Sequence, residues 1–234
     1  MSGGEPAAPM KALEAYGLLA NEYDSTPNPL LSLEKRALAS LVYSALGCDV
    51  VDLGCGTGRW LVEFAGIGAR SVTGIDVCPE MLEQAAKKLI GNARLVLADC
   101  TSTSLEAASC DWILASFLLS YVGDLQRFAA EASRIARPGA RLVLSDVHPE
   151  TSSYGWRRTF RHAEKTIEIQ THPYRISDLQ LAMTAAGFEE TFFREFPFGE
   201  EERKMFLEAG RMDLFAQVEN RAVMFAAGYR MSGS

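Results

Sequence analysis

Asp52, Asp76 and Asp99 stand at or near the ends of three short apolar runs, and His148 stands just past a fifth. Between the first two acids lies Gly54-Cys55-Gly56-Thr57-Gly58, with glycine on alternate positions. Glycines so spaced allow a tight turn in which a ligand meets bare backbone. Arg59 to Phe64 then opens a helical pattern whose first N–H groups would face the same ligand. Asp76 follows the glycines at the interval of about 20 residues at which an acid bonds both hydroxyls of a ribose. A carboxylate accepts two such bonds, which an amide or a basic side chain cannot do. These residue types together describe a nucleoside site on a strand–turn–helix unit.

The glycine spacing selects among nucleosides. Dinucleotide loops read G-x-G-x-x-G. Gly54 and Gly56 fit the first two positions, but the third falls on Arg59. The chain reads instead Asp52-x-Gly54-x-Gly56-x-Gly58, directly after the apolar run Val50 to Leu53. This resembles the glycine loop of the class I S-adenosylmethionine (SAM) methyltransferases, of the small-molecule type. The resemblance is specific over residues 50–146 and looser over 16–230. It implies SAM as cofactor and S-adenosylhomocysteine (SAH) as product. It further implies that Asp52, Gly54, Cys55, Gly56 and Gly58 surround the methionine part, that Asp76 and Val77 meet the ribose, and that Met81 touches the adenine face. By the same resemblance Asp99 and Cys100 meet the adenine edge, Ser116 and Phe117 flank the methionine part and the acceptor, and Tyr23 belongs to a lid. Plainer roles stay open: Asp76 as a cap for a helix opening at Pro79, Asp99 as a surface turn acid, and Tyr23, Met81 and Phe117 as packing.

His148, just beyond the fifth strand, is the candidate general base, with an ordinary pKa of about 6.5. Its alternative is a loop histidine bonding a carbonyl. Tyr154, Trp156, Arg157 and Arg158 mix rings with cations and are expected to stack on an acceptor and pair an anionic substituent. Their alternative is a solvated loop with snorkelling arginines. An Asn/Asp-Pro-Pro-Tyr stretch, found after the fourth strand of some amino-group methyltransferases, is absent. The expected activity is methyl transfer to a small molecule, at oxygen in preference to nitrogen or carbon. The alternatives are a non-catalytic SAM-binding partner or, less favoured, an NAD-dependent oxidoreductase.

Composition narrows the partners. A formal net charge of −7 over 234 residues argues against a protein that coats nucleic acid, which needs a broad basic face. The five cysteines form no C-x-x-C pair, and the histidines are not spaced with them, so no metal site is expected. The cysteines read as reduced thiols of a cytoplasmic protein. No apolar run reaches the ~20 residues of a membrane span, and Met1 to Met10 lacks a signal peptide's apolar core. Oligomeric state is not readable.

The elements that must position these residues follow from the apolar periods. The resemblance implies a seven-stranded, mostly parallel, doubly wound α/β sheet with N-terminal helices and a substrate-covering insertion. Residues 1–47 read as a helical lid, 48–146 as the SAM-binding core, 147–176 as the insertion, and 177–234 as a helix with antiparallel strands. Strands are predicted at Val50–Leu53, Ser71–Asp76, Arg94–Ala98, Asp111–Ser116, Arg141–Asp146, Glu190–Phe196 and Ala222–Arg230. Helices are predicted at Leu30–Leu46, Met81–Ile90, at Asp124–Ala136 with Arg137-Pro138-Gly139 as its stop, and at Leu179–Ala186 capped by Ser177-Asp178. The alternating run Thr166–Gln170 predicts a hairpin in the insertion.

Overall fold

Val50-Val51 and Trp112-Ile113-Leu114-Ala115 send alternate side chains to opposite faces, and both faces are buried. Continuous apolar runs of this kind form parallel strands covered on two sides. The computed structural model describes residues 8–89, 91, 93–163 and 165–233. The parallel strands are β1 (Asp49–Leu53), β2 (Ser71–Asp76), β3 (Ala93–Leu97), β4 (Cys110–Ser116) and β5 (Ala136–Val147). A hairpin of β6 (Thr159–His162) and β7 (Lys165–Glu168) stands apart, and β8 (Phe188–Phe196) and β9 (Met224–Met231) complete the main sheet. Its order is β3-β2-β1-β4-β5-β9-β8, with β9 antiparallel to both neighbours.

The helices are α1 (Ala12–Leu19), α2 (Pro29–Val42), α3 (Arg59–Gly66), α4 (Pro79–Lys88), α5 (Leu125–Ile135), α6 (Ile176–Ala185), α7 (Glu200–Glu208) and α8 (Met212–Val218). Phe128, Ala129 and Ala132 of α5, with Leu179 and Met183 of α6, fill one face of the sheet. Leu38 and Val42 of α2, with Trp60, Leu61 and Phe64 of α3, fill the other. Among the described residues no helix is long and apolar enough to cross a membrane.

Two predicted boundaries move. The strand after α5 begins at once, at Ala136 and not at the predicted Arg141, so Arg137-Pro138-Gly139 follows the helix end as strand. Pairing with β4 jumps from Cys110–Ala136 to Trp112–Arg141, and Pro138, which has no N–H to give, sits in that irregularity. Helix α6 is capped at Arg175 instead of Ser177-Asp178; Asp178 is its third residue and accepts from Arg175 N at 3.3 Å. Ile90 and residues 1–7, included in the predicted α4 and lid, lie outside the described residues.

The insertion is tied to the N-terminal segment. Met10 N donates to Glu168 O at 2.8 Å and Gln170 N donates to Met10 O at 2.7 Å, so β7 ends against the residue that leads into α1. His172 N donates to Ser120 O at 2.7 Å, which fixes the insertion's far end beside β4.

Candidate functional site

Strand order reverses between β1 and β4, and open α/β sheets bind ligands at that crevice. A cavity of about 330 Å³ lies there. Asp52, Gly54, Cys55 and Gly56 of the first strand and its loop line it, with Asp76, Val77 and Met81 from β2 and α4. Asp99, Cys100, Ser116 and Phe117 line the adjoining ends of β3 and β4, and Tyr23 closes in from the lid. All the cofactor residues predicted from sequence therefore meet in one cavity except Gly58.

Local hydrogen bonds explain the loop's shape. Gly54 N and Cys55 N both donate to Ile75 O, at 2.8 and 2.9 Å, pinning the loop to β2. Gly54 has φ +71°, and a Cβ there would stand 2.7 Å from Leu118 Cδ1. Gly58, at φ +74°, caps α3, and its missing Cβ would meet Ala85 Cβ of α4 at 3.0 Å. Its requirement is close helix packing, so the sequence-based role in the cavity is corrected. Gly56 N donates to Asp76 Oδ2 and Cys78 N to Asp76 Oδ1, both at 2.8 Å. Those bonds aim the carboxylate and leave each oxygen a further lone pair.

The charges are unevenly satisfied. Asp52 is buried and its Oδ1 has no partner among the described residues. Burial raises its pKa well above the usual range against the pull of Arg59, and Glu34 and Asp76 push the same way. Burial also raises Asp76, against the backbone N–H groups that hold it. Arg59, a lining residue not anticipated from sequence, is closed off by Glu34, which is fully buried on α2. Trp60 Nε1 (3.2 Å), Ser116 Oγ (2.6 Å) and Ser145 Oγ also donate to the Glu34 carboxylate. Burial pushes the Tyr23 hydroxyl up to about 12 and Tyr16 well above its ordinary value. It likewise pushes the Cys78 thiol to about 11 and Cys100 to about 12, so both stay protonated near neutrality.

The N-terminal helices roof the cavity. Ala12, Leu13 and Tyr16 of α1 line it, and Tyr16 Oη donates to Tyr121 Oη at 2.9 Å. Thr57 Oγ1 donates to Asp24 Oδ1 at 2.7 Å, and Lys88 Nζ pairs with Asp24 Oδ2 at 2.6 Å, so the turn after Tyr23 is moored to the glycine loop and to α4.

The acceptor residues predicted from sequence do not line this cavity. His148 is buried on the β8–β9 side: its ring stands edge-on to Phe225 with centroids 6.4 Å apart, and its Nε2 lies 2.9 Å from Glu195 Oε1. Its backbone N bonds Val223 O, which turns the side chain to those strands, so its placement at the reacting end is corrected. Trp156 packs on Phe198 and Phe206. Tyr154 lies under Arg221 and donates to Glu150, while exposed Arg157 bonds the carbonyls of Ser152 and Trp156. Arg158 alone reaches inward, with its guanidinium carbon 5.3 Å from the Phe117 ring and 5.5 Å from the Tyr121 ring. No histidine lines the cavity; His172 stands at its edge, with Cε1 3.7 Å from where a Cβ on Gly123 would be.

A doubly wound sheet with an acidic glycine loop and a second acid converging at its switch point is a nucleoside-dependent enzyme of the Rossmann-like class. Residues 51–144 match the model of the family described as "Methyltransferase domain". The chain is 28% identical over 207 residues to a demethylmenaquinone methyltransferase of Tropheryma whipplei, covering 79% of this chain and 86% of the relative. It is 32% identical over 148 residues to the nocamycin O-methyltransferase of Saccharothrix syringae, covering 60% of this chain and 52% of that one. The crystal structure of an S-adenosylmethionine-dependent methyltransferase from Mesorhizobium loti superposes with a TM-score of 0.68 at 22% identity, over 85% of this chain and 97% of the other. The chain carries the class I SAM methyltransferase fold, with the methyltransferase domain matched over residues 51–144.

Proposed function

We propose that this methyltransferase holds SAM between the glycine loop, Asp52 and Asp76, and transfers its methyl group to an oxygen of a small acceptor enclosed under α1. The observation that carries the cofactor site is the pair of acids at its two sides. Asp52 keeps a buried oxygen without a partner among the described residues, which suits a cationic amino head. Asp76 is aimed by two backbone N–H groups and lines the same cavity, which suits a ribose diol. SAM supplies a methyl group already made electrophilic by its sulfonium. The chain's own task is then placement and exclusion of water, and placement of reactants contributes ~7–11 kcal/mol to such reactions. Helix α1 and the Tyr16–Tyr121 bond close the cavity above the ends of β1 and β4. Tyr16 and Tyr23, with their raised pKa values, act as neutral hydrogen-bond donors and not as bases.

The roof supports a small acceptor, since a bulky chain would have to displace α1. The name of the nocamycin relative supports oxygen. Tritiated-methyl SAM offered with a panel of small acids, phenols, amines and thiols tests the reading. Counts recovered only on nitrogen or sulfur would overturn the oxygen assignment. Asp76→Ala is expected to weaken SAH binding by about 100-fold or more, since it loses two charge-assisted bonds worth about 1.5–3 kcal/mol each and frees the loop. Unchanged affinity by calorimetry would remove the site.

A further inference from the structure

We propose that Arg158 anchors the acceptor through an ionised oxygen, so that the acceptor is a carboxylate or another acid oxygen already deprotonated in solution. The proposal rests on the oxygen-acceptor reading above and names its substrate class. Arg158 leaves the insertion just ahead of β6, and its side chain keeps only 18% of its surface accessible. It lies over Phe117 and Tyr121, both of which line the cavity. Phe117 holds φ +50°, unusual for a bulky residue, and is fixed there by its N–H to Ser145 O at 2.8 Å. The backbone at the end of β4 is thus bent to hold that ring both at the cavity and 5.3 Å from the guanidinium carbon.

A guanidinium carries five N–H donors. Among the described residues the one acceptor found for Arg158 is Asp146 Oδ1, at a long 3.4 Å, and its buried Nε has no partner. Asp146 is already occupied: Ser120 N donates to Oδ2 at 2.6 Å, and Val147 N and Ser120 Oγ donate to Oδ1 at 2.7 and 3.2 Å. Arg59, which lines the same cavity, differs in its charge balance, because its Nη2 donates to the fully buried Glu34 carboxylate at close contact. Arg157, one residue away, spends its donors on loop carbonyls and is exposed. Among the described residues Arg158 is therefore a cation beside the cavity with donors to spare and no carboxylate at close contact. Tyr121 adds a second donor, since its hydroxyl accepts from Tyr16 and its own proton has no acceptor among the described residues.

The chemistry of the cavity points the same way. No histidine lines it, and burial keeps the protons on Tyr16, Tyr23, Cys55, Cys78 and Cys100. Its carboxylates, Asp52, Asp76 and Asp99, are the groups assigned to the cofactor, so an acceptor hydroxyl that must lose a proton finds no further base among the lining residues. An oxygen that arrives ionised needs none, but it needs a fixed cation to offset its loss of water, and a guanidinium suits a carboxylate in charge and shape.

The test uses SAH-loaded protein and two probes of equal shape, benzoate and neutral benzamide, followed by tryptophan fluorescence, since Trp60 lines the cavity. SAH affinity is measured first: failure there sinks the cofactor reading, whereas failure with benzoate alone sinks only this proposal. Benzoate is expected to bind about 10- to 100-fold tighter than benzamide, the range of a hydrogen bond to a charged group. Arg158→Met should abolish that difference with SAH affinity kept within about threefold, and Arg158→Lys should restore part of it. Equal binding of the two probes, no binding of either, or undiminished benzoate binding by Arg158→Met would overturn it. Should Arg158→Met fail to fold, the wild-type ratio of the probes and its reduction in Arg158→Lys decide, because Lys keeps the charge and loses the guanidinium's planar fork.

Discussion

Tyr16 and Tyr121, 105 residues apart, join their hydroxyls at 2.9 Å and so fasten the first helix to the loop that follows β4. Their rings also meet edge to face, with centroids 5.4 Å apart, and Tyr16 packs on Tyr23 at 6.1 Å. Tyr16→Phe removes the hydrogen bond and keeps both ring contacts. A neutral hydrogen bond contributes about 0.5–1.5 kcal/mol, so the SAH dissociation constant should rise about 2- to 12-fold. If α1 is the roof, the change falls mainly on the dissociation rate in stopped-flow traces. An unchanged rate would mean that α1 does not open to release the nucleoside.

Glu34 fastens α2 to α3, β4 and β5 through Arg59, Trp60, Ser116 and Ser145. Breaking a buried ion pair by removing one partner typically costs about 3–5 kcal/mol, since the other charge is left without compensation. Glu34→Ala should therefore lower the urea midpoint sharply and, because Arg59 lines the cavity, weaken SAH binding as well. Glu34→Gln, which keeps the shape and two hydrogen bonds, should lose less of both. Equal stability of Glu34→Ala and wild type would show that this network does not hold α2 in place.

That network marks the limit of what the chain's letters disclose. The strand–glycine–helix unit was legible because Val50 to Leu53 is a continuous apolar run, the glycines sit at a fixed spacing, and Asp76 follows at the ribose interval. Each signal is local, and local signals survive folding. Arg59 was legible only as the residue that spoils a dinucleotide loop, because nothing near it in sequence tells which of the chain's acids would reach it from α2. Arg158 and Arg157 look alike in sequence; the turn at Pro149–Tyr154 and the pairing of Ile169 N with Arg158 O at 2.7 Å send one inward and leave the other outside. His148 misled for the same reason, since its position past β5 was right and its direction was set by Val223 across the sheet.

His148→Ala separates position from direction. The ring is buried against Phe225, accepts from Glu150 N at 3.3 Å and pairs with Glu195. Its loss should cost about 1–3 kcal/mol of stability, the range for a buried group left without its partner. Methyl transfer from tritiated SAM, measured well below the new melting temperature, should stay within about threefold of wild type. A fall of 100-fold or more with SAH affinity intact would return His148 to the base role.

Glu131 offers a pH test of stability away from the cavity. Arg134 holds its carboxyl down to about 2, against burial and with help from the hydroxyl and N–H of Thr103. Arg134 Nε and Nη2 donate at 2.7 and 2.8 Å, and Thr103 N donates at 2.7 Å, which pins the loop after β3 to α5. An unfolded glutamate titrates near 4.3. Because the folded value is the lower one, the stabilisation is complete above about pH 5 and fades as pH falls from there through about 2. Arg134 is two-fifths exposed, so solvent screening discounts the ion pair, and roughly 2 kcal/mol at pH 7 is the expected size. Glu131→Gln should therefore unfold at a lower urea concentration than wild type at pH 7, and the gap should narrow steadily toward pH 2.5. A gap that is constant across that range would assign the cost to lost hydrogen-bond shape at Thr103, with no contribution from the charge.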